Sequence, residues 1–150
     1  LTMVSSTDII DIIRLYRTFT KYNFISDKEI AKAIILSLDL NQYKLFRYPT
    51  TDVAYAFTNW AYLNKESEEK FLRTGILENL DWDSGDTCWH IETVNTAPNK
   101  IKQIYQYTAN RLAEDIGEDK YCHWIRMNKS GKEILRINKM KIGTGKRKFN

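Results

Sequence analysis

A chain of 150 residues with 43% apolar content can bury one sizeable core and is too short for two ordinary domains. Its 13% aromatic residues, set against six Gly and two Pro, exclude a low-complexity or linker-like protein. The formal charge of +4 is concentrated in Lys139, Lys141, Lys146, Arg147 and Lys148, so the body is near neutral and residues 139–150 form a basic, solvated tail.

Residues 6–20 place Ile9, Ile12, Ile13 and Tyr16 at helical spacing behind the capping-box-like pair Ser5 and Asp8. A second helix starts at the capping box Ser26/Glu29 and carries Ile30, Ala33 and Ile34 to about Leu38. The period then changes to two. Residues 43–48 and 53–63 read as a β-hairpin around Pro49-Thr50-Thr51-Asp52, with Val53, Tyr55 and Phe57 alternating against Ala54, Ala56 and Trp60.

Residues 64–73 are charged and helix-permissive, and Gly75 is a natural C-terminal cap. Asp83-Ser84-Gly85-Asp86 turns the chain into a strand over 87–95. Ile101, Ile104, Tyr105, Thr108 and Leu112 mark the strongest helix, closed at Gly117. Residues 121–127 and 132–138 read as two final strands joined by Asn128-Lys129-Ser130-Gly131. The order ααββαβαββ predicts an α/β fold: one domain over 1–150 with helices packed on a sheet.

Cys88 and Cys122 have neither the spacing of a metal site nor that of a disulfide framework, which fits a reducing compartment and no bound metal. No apolar run approaches the roughly 18 residues of a membrane span, and the first residues lack the pattern of a secretory signal. A cytoplasmic protein is expected.

The segments TDVAYAFTNWAYL, LDWDSGDTCWHIETV, YQYTANRL and IRMNKSGKEILRI resemble the RTX toxin-activating lysine acyltransferases. The shared residues run in unbroken order from Asn41-Gln42-Tyr43 through Val53-Ala54-Tyr55, Trp60-Ala61, Leu63, Trp82, Ser84-Gly85-Asp86, Trp89, Ile91, Tyr105, Tyr107 and Arg126 to Gly131-Lys132. The resemblance implies a GNAT-like single domain with a mixed, mostly antiparallel sheet. It also implies a fatty-acyl donor on acyl carrier protein and a protoxin lysine as acceptor. Two residues carry the chemistry in that family: a histidine in the N-terminal helical region and an aspartate in the strand after the Ser-Gly-Asp turn.

This chain has Glu92 at the aspartate position, and no histidine precedes His90; Lys21, Tyr22 and Asn23 occupy the expected histidine neighbourhood. Acyl transfer must remove a proton from the nucleophile near neutral pH, a task suited to imidazole with its pKa of about 6.5. A glutamate does so comparably only if burial raises its pKa. Period two puts Cys88, His90 and Glu92 on one strand face, a carboxylate, an imidazole and a thiol that together suit acyl transfer. Each also has a purely structural reading. Trp60, Ser84 and Arg126 are candidate substrate-binding residues: an aromatic pocket wall, a turn offering backbone N–H groups, and an anion contact.

A retained scaffold without the histidine looks like the branch that acts in class IIb microcin maturation. That likeness implies joining a glycosylated siderophore to the precursor's C-terminus together with a second maturation protein, with any ATP used through that partner. The alternatives are lysine acylation from an acyl carrier protein thioester and a non-catalytic precursor-binding subunit. Further partner expectations are a homodimer, no nucleic acid, and weak membrane-surface contact through the basic tail.

Overall fold

The computed structural model describes residues 6–127 and 133–142. Helix α1 (Ser6–Arg17) is followed by a 3-10 turn (Thr20–Tyr22), α2 (Asp27–Asp39), β1 (Tyr43–Arg47), β2 (Ala54–Leu63), α3 (Lys65–Thr74) and β3 (Thr87–Asn95). A second 3-10 turn (Pro98–Lys100), α4 (Ile101–Ile116), β4 (Tyr121–Met127) and β5 (Ile134–Lys141) complete the order ααββαβαββ. The strands form an open five-stranded sheet in the order β1-β2-β3-β4-β5. The fold is mixed α/β, as the resemblance implies.

Local signals explain most element ends. Ser26 Oγ accepts the Glu29 N–H at 3.1 Å, and Asn64 Oδ1 accepts that of Ser67 at 2.8 Å; each satisfies an orphan donor at a helix start. Gly75 takes φ 71°, the left-handed cap that an L side chain resists. Helix α1 stops at Arg17 rather than at residue 20. The Arg17 guanidinium donates to the carbonyls of Tyr22 (2.9 Å) and Ile25 (2.5 Å) and to Asp27 (2.9 Å), which folds the chain back on the helix end. Asp8 pairs with Arg47 at 2.9 Å and accepts from Tyr43 at 3.1 Å, while Ser5, the other half of the expected helix cap, lies outside the described residues.

The chain divides into two compact units, and the division falls within β2 and β3. The first contains Leu1–Trp60 and Glu92–Asn99. Its core joins Ile12, Leu15 and Tyr16 of α1 to Ile30, Ile34 and Leu38 of α2, and both groups to Leu45, Phe57 and Val94 of β1, β2 and β3. Each fully buried Ile, Leu or Phe contributes about 1.5–3 kcal/mol. Strands β1 and β2 pair antiparallel, Tyr43 opposite Asn59 and Leu45 opposite Phe57. Every position of β2 from 55 to 63 is buried, so the alternation in its sequence does not separate a wet face from a dry one.

The second unit contains Ala61–Ile91 and Lys100–Asn150. Strands β3 and β4 pair parallel through Cys88/Cys122 and Trp89/His123, and α4 supplies the crossover that parallel pairing demands. Ile104, Thr108, Ala109 and Leu112 give α4 a face of zero exposure. Strands β4 and β5 pair antiparallel from Tyr121/Lys141 to Met127/Ile134, so β5 runs later than the expected 132–138. The Asn128-Lys129-Ser130-Gly131 loop, Lys132 and the tail from residue 143 lie outside the described residues. Among the described residues no helix is long and apolar enough to cross a membrane.

Candidate active site

In the first unit, Glu92 has both sides of its backbone held by side chains of β2. Its N–H donates to Asn59 Oδ1 at 2.9 Å, and its carbonyl accepts from Thr58 Oγ1 at 3.0 Å. Because the Thr58 hydroxyl proton is committed to that carbonyl, Thr93 Oγ1 donates to Thr58 at 3.1 Å. Asn59 Nδ2 in turn donates to Ser37 Oγ at 3.0 Å, and Ser37 donates to the Ile34 carbonyl of α2 at 2.7 Å. Ser37, Thr58 and Asn59 are buried, and these bonds answer the desolvation of their polar atoms.

The Glu92 carboxylate meets three groups from the end of α1 and the turn behind it. The Tyr16 hydroxyl and the Lys21 charge both favour its ionised form. Tyr22 lies within the carboxylate's field, its ring 4.8 Å edge-on from that of Tyr16, and Lys21 Nζ sits 5.0 Å above the Tyr22 ring. The Arg17 clamp on the Tyr22 and Ile25 carbonyls fixes this turn.

Burial pushes the Glu92 carboxyl above its usual range, while Lys21 and the Tyr16 hydrogen bond pull it back. Burial first, and then the Glu92 charge, pushes the Tyr16 phenol far up and that of Tyr22 up to about 12, so both stay protonated near neutrality. The result is a proton acceptor moved toward neutral pH, with a cation and two phenols around it. Such a carboxylate suits a general base.

Cys88 and His90 belong to the second unit, and Glu92 to the first. Cys88 and Cys122 are fully buried free thiols with Sγ atoms 3.4 Å apart. Burial, then the Cys122 hydrogen bond, raises the Cys88 pKa well above its ordinary value, which disfavours the thiolate a nucleophile needs. His90 is partly buried, and desolvation pushes it down to about 4, so near pH 7 its imidazole is neutral. His123 stacks on Trp89 at 5.2 Å, and its Nδ1 lies 3.2 Å from the Cys88 carbonyl.

Trp60 is wholly buried. The N–H groups of Ser84 and Gly85 both donate to the Tyr62 carbonyl, at 2.8 and 3.1 Å, and Ser84 Oγ accepts from the Asn64 N–H at 2.9 Å. Those donors are spent on anchoring the turn. Arg126 is exposed on β4 opposite Arg136. Of the basic tail, Lys139 lies 4.6 Å over the Tyr121 ring and Lys141 pairs with Asp119 at 3.0 Å, while Lys146, Arg147 and Lys148 lie outside the described residues. Among the described residues no cluster of three or more His, Cys, Asp or Glu side chains could hold a metal ion.

Sequence reading singled out Glu92 but not Tyr16, Thr58, Asn59 or Ser37 around it. The polar pair Thr58-Asn59, set inside the apolar run of β2, is the signal that marks them. Lys21 and Tyr22 do fall in the neighbourhood where the missing histidine was expected.

The profile of the RTX toxin acyltransferase family (HlyC) matches residues 6–141. An uncharacterized protein of Synechocystis, sll0720, is 27% identical over 110 residues, which cover 72% of this chain and 71% of that protein.

Proposed function

Because the chain belongs to the RTX toxin acyltransferase family, we propose that it matures a ribosomally made bacterial toxin by acyl transfer, with Glu92 as the general base. The observation that carries this reading is the Glu92 carboxylate, raised by burial and ringed by Tyr16, Lys21 and Tyr22 in place of an imidazole. In the reaction the nucleophile's nitrogen or oxygen bonds to the acyl carbon while Glu92 takes its proton. The bond from that carbon to the leaving group then breaks with its electron pair, and the proton passes to the leaving group. Loss of such a base typically costs about 10²–10⁴-fold in rate.

For the substrate we favour a microcin precursor whose C-terminus is joined to a glycosylated siderophore, with a second maturation protein supplying any ATP-dependent activation. Support comes from the site itself: a sugar hydroxyl is neutral at physiological pH, so a carboxylate base need not first deprotonate an ammonium, as it must for a lysine. Arg126, exposed on β4, remains a candidate substrate contact. The basic residues of the C-terminal segment would suit the acidic surface of an acyl carrier protein, which favours the second reading, fatty acylation of protoxin lysines.

Two reconstitutions separate these readings. Purified protein is mixed with a labelled acyl-acyl carrier protein and an RTX protoxin, or with glycosylated siderophore, ATP, the partner protein and a microcin precursor. Product in the second mixture alone supports the microcin reading, and product in the first alone replaces it with lysine acylation. No product in either, with a precursor that the chain binds, leaves the non-catalytic binding subunit.

A further inference from the structure

We propose that Asn59, Thr58 and Ser37 are positioning residues that act through Glu92, fixing its peptide so that the carboxylate is directed at Tyr16. The inference rests on the reading of Glu92 as the base. Side-chain direction on a strand follows from the peptide planes on either side of the residue. At Glu92 one flanking plane is held through its N–H by Asn59 Oδ1 (2.9 Å) and the other through its carbonyl by Thr58 Oγ1 (3.0 Å). Asn59 is prevented from turning by the hydrogen bond its Nδ2 donates to Ser37 Oγ (3.0 Å), and Ser37 by the one its hydroxyl donates to the Ile34 carbonyl (2.7 Å).

Asn59 and Ser37 therefore tie the Glu92 N–H to helix α2, while Thr58 holds the Glu92 carbonyl from β2; all three side chains are 0–1% exposed. Three buried polar groups among Ile34, Phe57 and Trp60 are a costly way to pack a core, because each is tolerable only while its partners stay in place. Apolar side chains would fill the same volume without that condition. Rigid support of a reacting group from behind gives these positions a role beyond packing.

A double-mutant cycle on labelled protein without substrate tests this, with the Glu92 side-chain carboxyl carbon followed by NMR across pH. Tyr16→Phe in the native background removes a bond to the ionised form and should raise the Glu92 pKa by about one unit. On the Asn59→Ala background the same change should move it far less, because the carboxylate no longer faces residue 16. Ser37→Ala keeps the test alive if Asn59→Ala does not fold: there the Tyr16→Phe shift should fall to half or less. A Tyr16→Phe shift of the same size in either folded background overturns the proposal.

Kinetics give a second readout. Thr58→Ser keeps the hydroxyl and should keep kcat, whereas Thr58→Val should lower kcat about tenfold with KM little changed; equal kcat in both removes Thr58 from the set. The NMR cycle needs no turnover, so an inactive protein with an intact cycle counts against Glu92 as the base and not against its positioning.

Discussion

The Tyr16 phenol at the end of α1 and the Glu92 carboxylate are coupled, the phenol favouring the ionised form of a carboxyl whose pKa burial pushes up. Removing the hydroxyl takes away an influence that lowers the Glu92 pKa. In Tyr16→Phe the acidic limb of the kcat/KM profile should therefore move to higher pH, by about one unit. A limb that stays in place in the variant, measured in the same buffers, contradicts the assignment.

Lys21 acts in the same direction through its charge alone. Lys21→Met should also shift the limb upward, Lys21→Arg should restore most of the native profile, and added salt should weaken the native effect by screening. An unshifted profile in Lys21→Met would mean that the ammonium does not reach the carboxylate in solution.

His90 links stability to pH. Its folded pKa is depressed from 6.5 to about 4, so between those values the unfolded chain binds a proton that the native chain refuses. The stabilisation is complete above pH 6.5 and is lost as pH falls toward 4. The loss is at most about 3 kcal/mol, less whatever the ring's remaining exposure screens. Urea unfolding at pH 7 and pH 4.5 should show this loss in the native chain and a smaller one in His90→Gln.

Gly85 tolerates no side chain. A Cβ there would sit 2.6 Å from both the Asn64 nitrogen and the Leu63 oxygen, backbone atoms that cannot swing aside. Gly85→Ala should cost about 2 kcal/mol or more and lower Tm by on the order of 5 °C. Gly75→Ala, with open space but φ 71°, should cost only the roughly 1–2 kcal/mol of left-handed strain. Equal Tm values for the two variants would remove the close approach as the reason for a glycine at 85.

Much of this architecture was legible in the sequence because it is written in local chemistry. The Ser26/Glu29 box, the Gly75 cap and the apolar stripe of α4 each specify an element over a few residues. Local rules failed where a distant partner decides. Arg17 ends α1 early because carbonyls of the following turn draw its guanidinium, and Asp8 is bonded by Arg47, 39 residues away. Glu92 was reachable through the family pattern. Its surroundings were not, since Tyr16 reads as one more stripe residue and Asn59 meets Ser37 and Glu92 only once α2, β2 and β3 have come together.

The most direct test of Glu92 as the base is the intact mass of a toxin precursor encoded beside this chain's gene, after coexpression with the native protein or with Glu92→Gln. The native protein should add the modifying group, and Glu92→Gln, folded and present at equal level, should leave nearly all precursor at its unmodified mass. Full modification by Glu92→Gln would contradict that role.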